Sequence, residues 1–189
     1  MLAGGRSTRF GSDKLAAMYH GMPLLHHAIL RLAEVCRDVV VVIAPVSPEP
    51  PLPPGSKARI ARDPTEGEGP LAGLLAGLDA TTAELALVAG GDMPDLRTAV
   101  LIEMLTVGSA SPVDAVVLQA GDGYRPLPCV VRTEEARRAA HGLLHAGDRR
   151  LRTLLEALRV AVIDEATWHA LDPELDTLRD VDVLGDLLD

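Results

Sequence analysis

Val39-Val40-Val41-Val42-Ile43-Ala44 carries no polar residue on either side of its two-residue repeat. A strand with one wet face alternates, so an unbroken apolar run marks a strand covered on both faces, as in a parallel sheet between helices. On its amino side, Pro23 to Cys36 places Leu25, Ile29, Leu32 and Cys36 at helical spacing, and Pro23 suits a helix start. On its carboxyl side, the proline-rich Pro45 to Gly55 reads as a surface loop, followed by a short strand at Lys57 to Ala61. Gly69-Pro70 opens a helix over Leu71 to Ala80, and Leu85 to Ala89 is a second covered strand. A helix is expected over Leu96 to Leu105, strands at Val113 to Leu118 and Leu127 to Val131, and helices at Thr133 to His145 and Asp148 to Leu158. Val160 to Ile163 is a late strand, and Leu178 to Leu188 reads as a strand fragment passing into a short helix. This alternation predicts an α/β fold of three layers, α/β/α, around an open, mostly parallel sheet. Ligands of such sheets bind beyond the carboxyl ends of the strands, so the loops that follow strands are where chemistry is expected.

The chain's 189 residues suit one domain, and its 48% hydrophobic content supports a real core. Aromatics are only 2%, so Leu, Val, Ala and Ile must build that core. A net charge of −9 repels nucleic acid and anionic membranes, so an anionic ligand needs a local basic pocket. Basic residues gather at Arg6, Arg9 and Lys14 and again at Arg149, Arg150 and Arg152. Cys36 and Cys129 lack metal-ligand spacing and read as reduced core thiols. His26, His27, His141, His145 and His169 have no carboxylate at metal spacing and read as surface or packing residues. Glycines and charges from Gly4 onward interrupt any signal-like apolar run, and no run is long enough to span a membrane. A soluble cytoplasmic monomer is expected, with no nucleic-acid or membrane partner.

Leu2-Ala3-Gly4-Gly5-Arg6-Ser7-Thr8-Arg9-Phe10-Gly11-Ser12-Asp13-Lys14 packs three glycines and three cations behind a short apolar start. Glycines let a backbone approach a ligand and turn its N–H groups inward, and Arg9 and Lys14 can offset the charge of a triphosphate. The spacing is neither that of a Walker A loop nor that of a dinucleotide fingerprint. The plain alternative is a polar loop with its cations in water. A second strand-end loop, Gly90-Gly91-Asp92-Met93-Pro94, puts a carboxylate where hard oxygen ligands would hold Mg²⁺ beside phosphates. Asp92 can equally serve a turn or cap the following helix, a cap role that Asp95 fills at least as well.

The first loop resembles the signature Leu-Ala-Gly-Gly-x-Ser-x-Arg-x-Gly-x-Asp-Lys of the molybdenum cofactor guanylyltransferases, within the nucleotidyltransferases of glycosyltransferase-A-like, Rossmann-like fold. Every fixed position is present from Leu2 to Lys14. The resemblance implies nucleotide contacts from Leu2, Ala3, Gly4, Gly5 and Lys14, with Arg9, Lys14 and Asp92 at the reacting phosphates. Gly-Asp-x-Pro at Gly91 to Pro94 resembles the family's metal motif, which assigns Mg²⁺ to Asp92. Asp63 followed by Gly69-Pro70-Leu71-Ala72-Gly73 resembles the family's Asp and Gly-Pro-Leu-Ala-Gly, implying that Asp63, Gly69 and Pro70 also contact the nucleotide. Read without the resemblance, Asp63 is as well explained as a polar loop residue. Leu178 to Leu187 resembles the family's C-terminal segment, with Asp180 and Asp182 where asparagines are usual. Asp182 is then either a second metal ligand or a cap for the terminal helix.

Three departures stand out. Only Met1, Leu2 and Ala3 precede Gly4, so either the first strand is very short or the stated start lies inside a longer one. The family's Asn after the second strand has no counterpart among Val42 to Pro45, and Val183-Leu184 replaces a Thr-Pro pair. Arg125-Pro126-Leu127 and the run Gly147 to Arg152 fall in the half of the family fold that receives the second substrate. Arg149, Arg150 and Arg152 either meet that substrate's phosphate or pterin, or lie on a solvated helix face. The resemblance therefore implies one domain, its N-terminal half binding nucleotide and its C-terminal half binding acceptor. Its reaction is Mg²⁺-dependent transfer of GMP from GTP to molybdopterin or molybdenum cofactor, with cofactor-accepting or cofactor-delivering proteins as further partners. A cytidylyltransferase, another phosphorylated acceptor or a non-catalytic nucleotide-binding module remain as alternatives.

Overall fold

A computed structural model of the chain describes residues 1–3, 14–65 and 67–181. A short 3-10 turn, Lys14–Ala16, leads into a hairpin of β1 (Met18–Tyr19) and β2 (Met22–Pro23). His20 and Gly21 close the hairpin with φ of 42° and 85°, the pair of positive values that two-residue hairpin turns need. Next come α1 (Leu24–Val35), β3 (Val39–Ile43), β4 (Ala58–Arg62), α2 (Gly69–Asp79), β5 (Leu85–Val88) and α3 (Thr98–Ala110). The remainder is β6 (Ala115–Ala120), β7 (Gly123–Arg132), α4 (Thr133–His145), α5 (Leu151–Glu156), β8 (Val160–Ile163) and α6 (Glu165–Leu171).

β3 and β4 pair in parallel, and a four-stranded sheet has the order β5-β7-β6-β8. Leu2 joins the two, bridging Val42 on one side and Gly90 on the other, both in parallel. Its short strand is zipped on both sides: Leu2 N donates to Ala89 O at 2.9 Å, Ala3 N to Val42 O at 2.8 Å, and Gly91 N to Leu2 O at 2.8 Å. β7 is antiparallel to β5 and β6, whereas β6 and β8 are parallel. The mostly parallel sheet is therefore present, with β7 as the reversed member. β6 and β7 form a hairpin across Gly121 and Asp122, a short connection that forces reversal because no helix intervenes.

The two faces of the sheet are read from alternate residues. Val116 and Leu118 pack with Ile29, Leu32, Leu101, Met104 and Trp168 from α1, α3 and α6. Ala115 and Val117 pack with Leu71, Leu78, Ala140 and Leu154 from α2, α4 and α5. Period-2 side chains on a helix-covered sheet produce this division into three layers. All five residues of β3 are buried, as its composition requires.

Four expectations change. The helix expected over Leu96 to Leu105 starts later, at Thr98. Asp95 does not cap it, since α3 has no side-chain cap and the Asp95 carboxylate accepts from Tyr19 Oη at 2.7 Å. The helix expected over Asp148 to Leu158 shortens to α5, because Asp148 Oδ1 accepts from Arg150 N at 2.9 Å and turns the chain there. α6 was not anticipated, although Asp164 caps it through Thr167 N at 2.7 Å, a signal present in Asp164-Glu165-Ala166-Thr167. Both cysteines are free: Cys36 stands half-buried at the end of α1, and burial in β7 pushes the Cys129 thiol up to about 12.

Candidate functional site

The short Leu2 strand, β4 and β5 end at one edge of the sheet, where the described residues Asp63, Gly69 and Asp92 are placed. Asp63 follows β4 directly, its N–H donating to Ile43 O at 2.9 Å and its Oδ1 accepting from Thr65 N at 3.1 Å. A methyl group on Gly73 of α2 would lie 3.7 Å from Leu2 Cδ2 and 3.9 Å from Asp63 Oδ2, so strand end, carboxylate and helix start converge. Gly69 opens α2 with φ of 80°, and a side chain there would also press within 3.0 Å of Arg149 Cβ. Glycine is thus required twice over, by backbone conformation and by close approach. Pro70 occupies the first turn of α2, where its missing N–H costs nothing.

At the end of β5, Asp92 Oδ2 accepts from Lys14 Nζ at 3.0 Å, joining residues 78 positions apart. The Lys14 side chain is 11% exposed and that of Asp92 is 35% exposed, so the cation is sheltered and the carboxylate opens to solvent. Among the described residues none donates to Asp92 Oδ1. A methyl group on Gly90 would collide with that oxygen, and one on Gly91 would meet Leu25, Leu15 and Leu2 O within 3.4 Å. Gly90 is therefore a steric requirement of the carboxylate's position, and Gly91 one of the packing of the loop against Leu2, Leu15 and Leu25. Val181 N donates to Asp92 O at 3.0 Å, which brings the C-terminal segment to the same loop. Beside it, Arg125 Nη2 donates to Asp180 Oδ2 at 2.8 Å.

Gly4, Gly5, Arg9 and Asp182 lie outside the described residues. Among the described residues no group of three or more His, Cys, Asp or Glu could hold a metal. A single hard carboxylate suits Mg²⁺ all the same, because that ion keeps several waters and shares its remaining positions with substrate phosphates. Of the C-terminal cations, Arg149 pairs with Glu68 at 3.0 Å and donates to Leu144 O at 2.9 Å, while its own carbonyl accepts from Leu71 N at 3.3 Å. Arg150 folds onto Asp148, and Arg152 stacks 5.2 Å from the Tyr124 ring centre. Tyr19 is 2% exposed, and burial together with its bond to Asp95 raises its phenol to about 12, so it is a firm donor at neutral pH. Sequence reasoning passed over this tyrosine, because its partner lies 76 residues away and neither residue belongs to a motif.

A family model described as a MobA-like NTP transferase domain matches residues 1–162. The chain belongs to that family. As a MobA-like chain it is a nucleotidyltransferase. It is 32% identical to a probable molybdenum cofactor guanylyltransferase of Chloroflexus aggregans, over 99% of this chain and 89% of that protein. It is 37% identical to a probable molybdenum cofactor guanylyltransferase of Mycobacterium bovis, over 87% and 83% of the two chains. Its fold matches molybdopterin-guanine dinucleotide biosynthesis protein A from Archaeoglobus fulgidus with a TM-score of 0.78 at 22% identity, covering 99% and 93% of the chains. It also matches 2-C-methyl-D-erythritol 4-phosphate cytidylyltransferase from Thermus thermophilus with a TM-score of 0.72 at 19% identity, covering 99% and 93%. Within the MobA-like family, then, the edge holding Lys14, Asp63, Gly69 and Asp92 is the candidate catalytic centre. Among the described residues no helix is long and apolar enough to cross a membrane.

Proposed function

We propose that the chain transfers GMP from GTP to the terminal phosphate of molybdopterin or its molybdenum form, with release of pyrophosphate. The observation that carries this reading is the Lys14–Asp92 pair, 3.0 Å apart at the carboxyl edge of the sheet and open to solvent on the Asp92 side. The names of the relatives point to guanylyl transfer and to the acceptor. In the reaction an acceptor phosphate oxygen bonds to the α-phosphorus of GTP, and the bond from that phosphorus to the β-phosphate oxygen breaks. The attacking phosphate is already an anion, so no general base is needed, and alignment plus charge compensation supply the rate. Lys14 and Arg9 provide fixed positive charge, the Gly4-Gly5 backbone seats the nucleotide, and Asp63, Leu2, Ala3, Gly69 and Pro70 shape its pocket. Asp92, with Asp182 as a second candidate, would hold Mg²⁺, which when bound neutralises phosphate charge and favours the leaving pyrophosphate. The N-terminal half binds nucleotide and the C-terminal half binds acceptor.

Pyrophosphate release with Mg²⁺ and each of GTP, CTP, ATP and UTP, with and without molybdopterin, tests this reading. Release with GTP and molybdopterin only, falling at least about a hundredfold in Asp92→Ala, is the expected outcome. Release with CTP instead, or undiminished release in Asp92→Ala, would overturn it.

A further inference from the structure

The Lys14–Asp92 pair is built from two units that share no strand pairing among the described residues. Lys14 belongs to a self-contained piece: Ala17 N donates to Lys14 O at 3.2 Å, Leu24 N donates to Ala17 O at 2.8 Å, and the β1–β2 hairpin lies between them. Asp92 belongs to the loop after β5, whose backbone is fastened by Val181 N to Asp92 O and by Arg97 N to Thr177 Oγ1 at 3.2 Å. Val181 also packs against Tyr19 and Leu24, so apolar contact already joins the loop to the Lys14 unit. The Tyr19–Asp95 hydrogen bond, at 2.7 Å, adds a directional polar link between them. Tyr19 lies five positions from Lys14, and Asp95 lies three from Asp92.

Tyr19 is held as a rigid donor. Its ring is buried with Leu24 and Val181, the His27 ring meets it edge-on at 5.2 Å, and His27 Nε2 lies 2.7 Å from Tyr19 O. Asp95 is not used at the start of α3, which has no side-chain cap. Its carboxylate is thus directed across the gap between the two units, toward the hairpin and not toward its own helix.

We propose that Tyr19 and Asp95 are positioning residues whose hydrogen bond clamps the Lys14 unit onto the Asp92 loop and so sets the separation of cation and carboxylate. The catalytic consequence rests on the functional reading above; the clamp itself does not. Tyr19→Phe keeps the buried ring and removes the donor, Asp95→Ala removes the acceptor, and Asp95→Asn keeps an acceptor oxygen.

The test uses the full chain with two kinds of readout. The first is the rate at which an amine-directed acylating reagent modifies Lys14, followed by mass spectrometry. The second is Mn²⁺ binding in the presence of GTP, by electron paramagnetic resonance, together with kcat and KM. Lys14 is expected to react several-fold faster in Tyr19→Phe and in Asp95→Ala. Mn²⁺ affinity should fall about tenfold in both, as for other residues that orient a metal-binding carboxylate. kcat should fall more than KM rises, with melting nearly unchanged. Asp95→Asn should restore all three quantities toward the parent, and the Tyr19→Phe/Asp95→Ala double variant should lose no more than either single. Lys14 reactivity unchanged in both Tyr19→Phe and Asp95→Ala would overturn the clamp. If the unsubstituted chain neither binds GTP nor releases pyrophosphate, the functional reading falls, and the Lys14 arm still decides the clamp. Should Tyr19→Phe not fold, Asp95→Ala and Asp95→Asn carry the same comparison.

Discussion

Two ion pairs stand at opposite edges of one sheet, and they differ in how completely the carboxylate is used. At the amino edge, Asp114 before β6 meets Arg159 before β8: Oδ1 accepts from Nη2 at 2.7 Å, and Oδ2 accepts from Nε at 2.8 Å and from the Arg159 amide at 3.1 Å. Both oxygens are filled in a two-pronged fit, and the Asp114 side chain is 10% exposed. At the carboxyl edge, Lys14 occupies Asp92 Oδ2, and no described residue donates to Oδ1. A carboxylate saturated by its own chain fixes two strands; one left half-used beside a sheltered amine can exchange partners with a ligand. The basic run at Arg149 and Arg150 belongs with the first kind, since those side chains are directed onto Glu68, Leu144 O and Asp148. Clustering of cations in sequence was therefore a weaker guide to the candidate site than the completeness of each carboxylate's pairing.

The sharpest way to break the contrast is Lys14→Ala. Pyrophosphate release should fall about a hundredfold or more, because fixed charge at the phosphates is lost, while the melting temperature stays within about 2 °C. A large drop in melting temperature with modest loss of rate would place the carboxyl-edge pair among the structural ones. Gly90→Ala is expected to cost about tenfold or more in kcat, since the new methyl group must push the Asp92 carboxylate aside. Full activity in that variant would mean the carboxylate's position is not critical.

The smallest effect is expected at the amino edge. Asp114→Asn should lower the melting temperature by about 3 °C at neutral pH and leave turnover unchanged. Its pH dependence follows from the sign of the shift. The Arg159 guanidinium hydrogen-bonded to Asp114 holds the folded carboxyl at about 2, below its ordinary value of about 3.9. The stabilisation is therefore complete above about pH 5 and disappears as pH falls through about 2. Melting curves of the parent and Asp114→Asn should converge over that range. A gap that persists at pH 2 would assign the effect to packing.

Much of the layer structure was legible in the chain. β3 and β8 lie within their apolar runs and α4 spans the expected residues, because continuous burial and helical periodicity leave few alternatives for a local segment. Of the candidate site, the placement was legible where motif residues follow strands: Asp63 and Asp92 stand at the carboxyl edge, with Gly69 opening α2. β7 was harder, since its first six residues include Arg125, Pro126 and Pro128, and the register shifts between Val117 and Leu118 opposite that stretch. Pairings between residues far apart leave no local trace: Asp95 has the sequence position of a helix cap, and its partner Tyr19 lies 76 residues away.

The sequence alone determined most of the order of strands and helices from Pro23 to Ile163, the loops that bear glycine and charge, and the membership that the Leu2-to-Lys14 signature implies. These depend on composition and spacing within a few residues, where sterics and periodicity act. Only the tertiary structure decided that β7 runs backward, that Lys14 is sheltered while Asp92 opens to solvent, and that Tyr19 reaches Asp95 across the gap. Each of those depends on which distant segments share a sheet edge, a matter of packing the whole core at once.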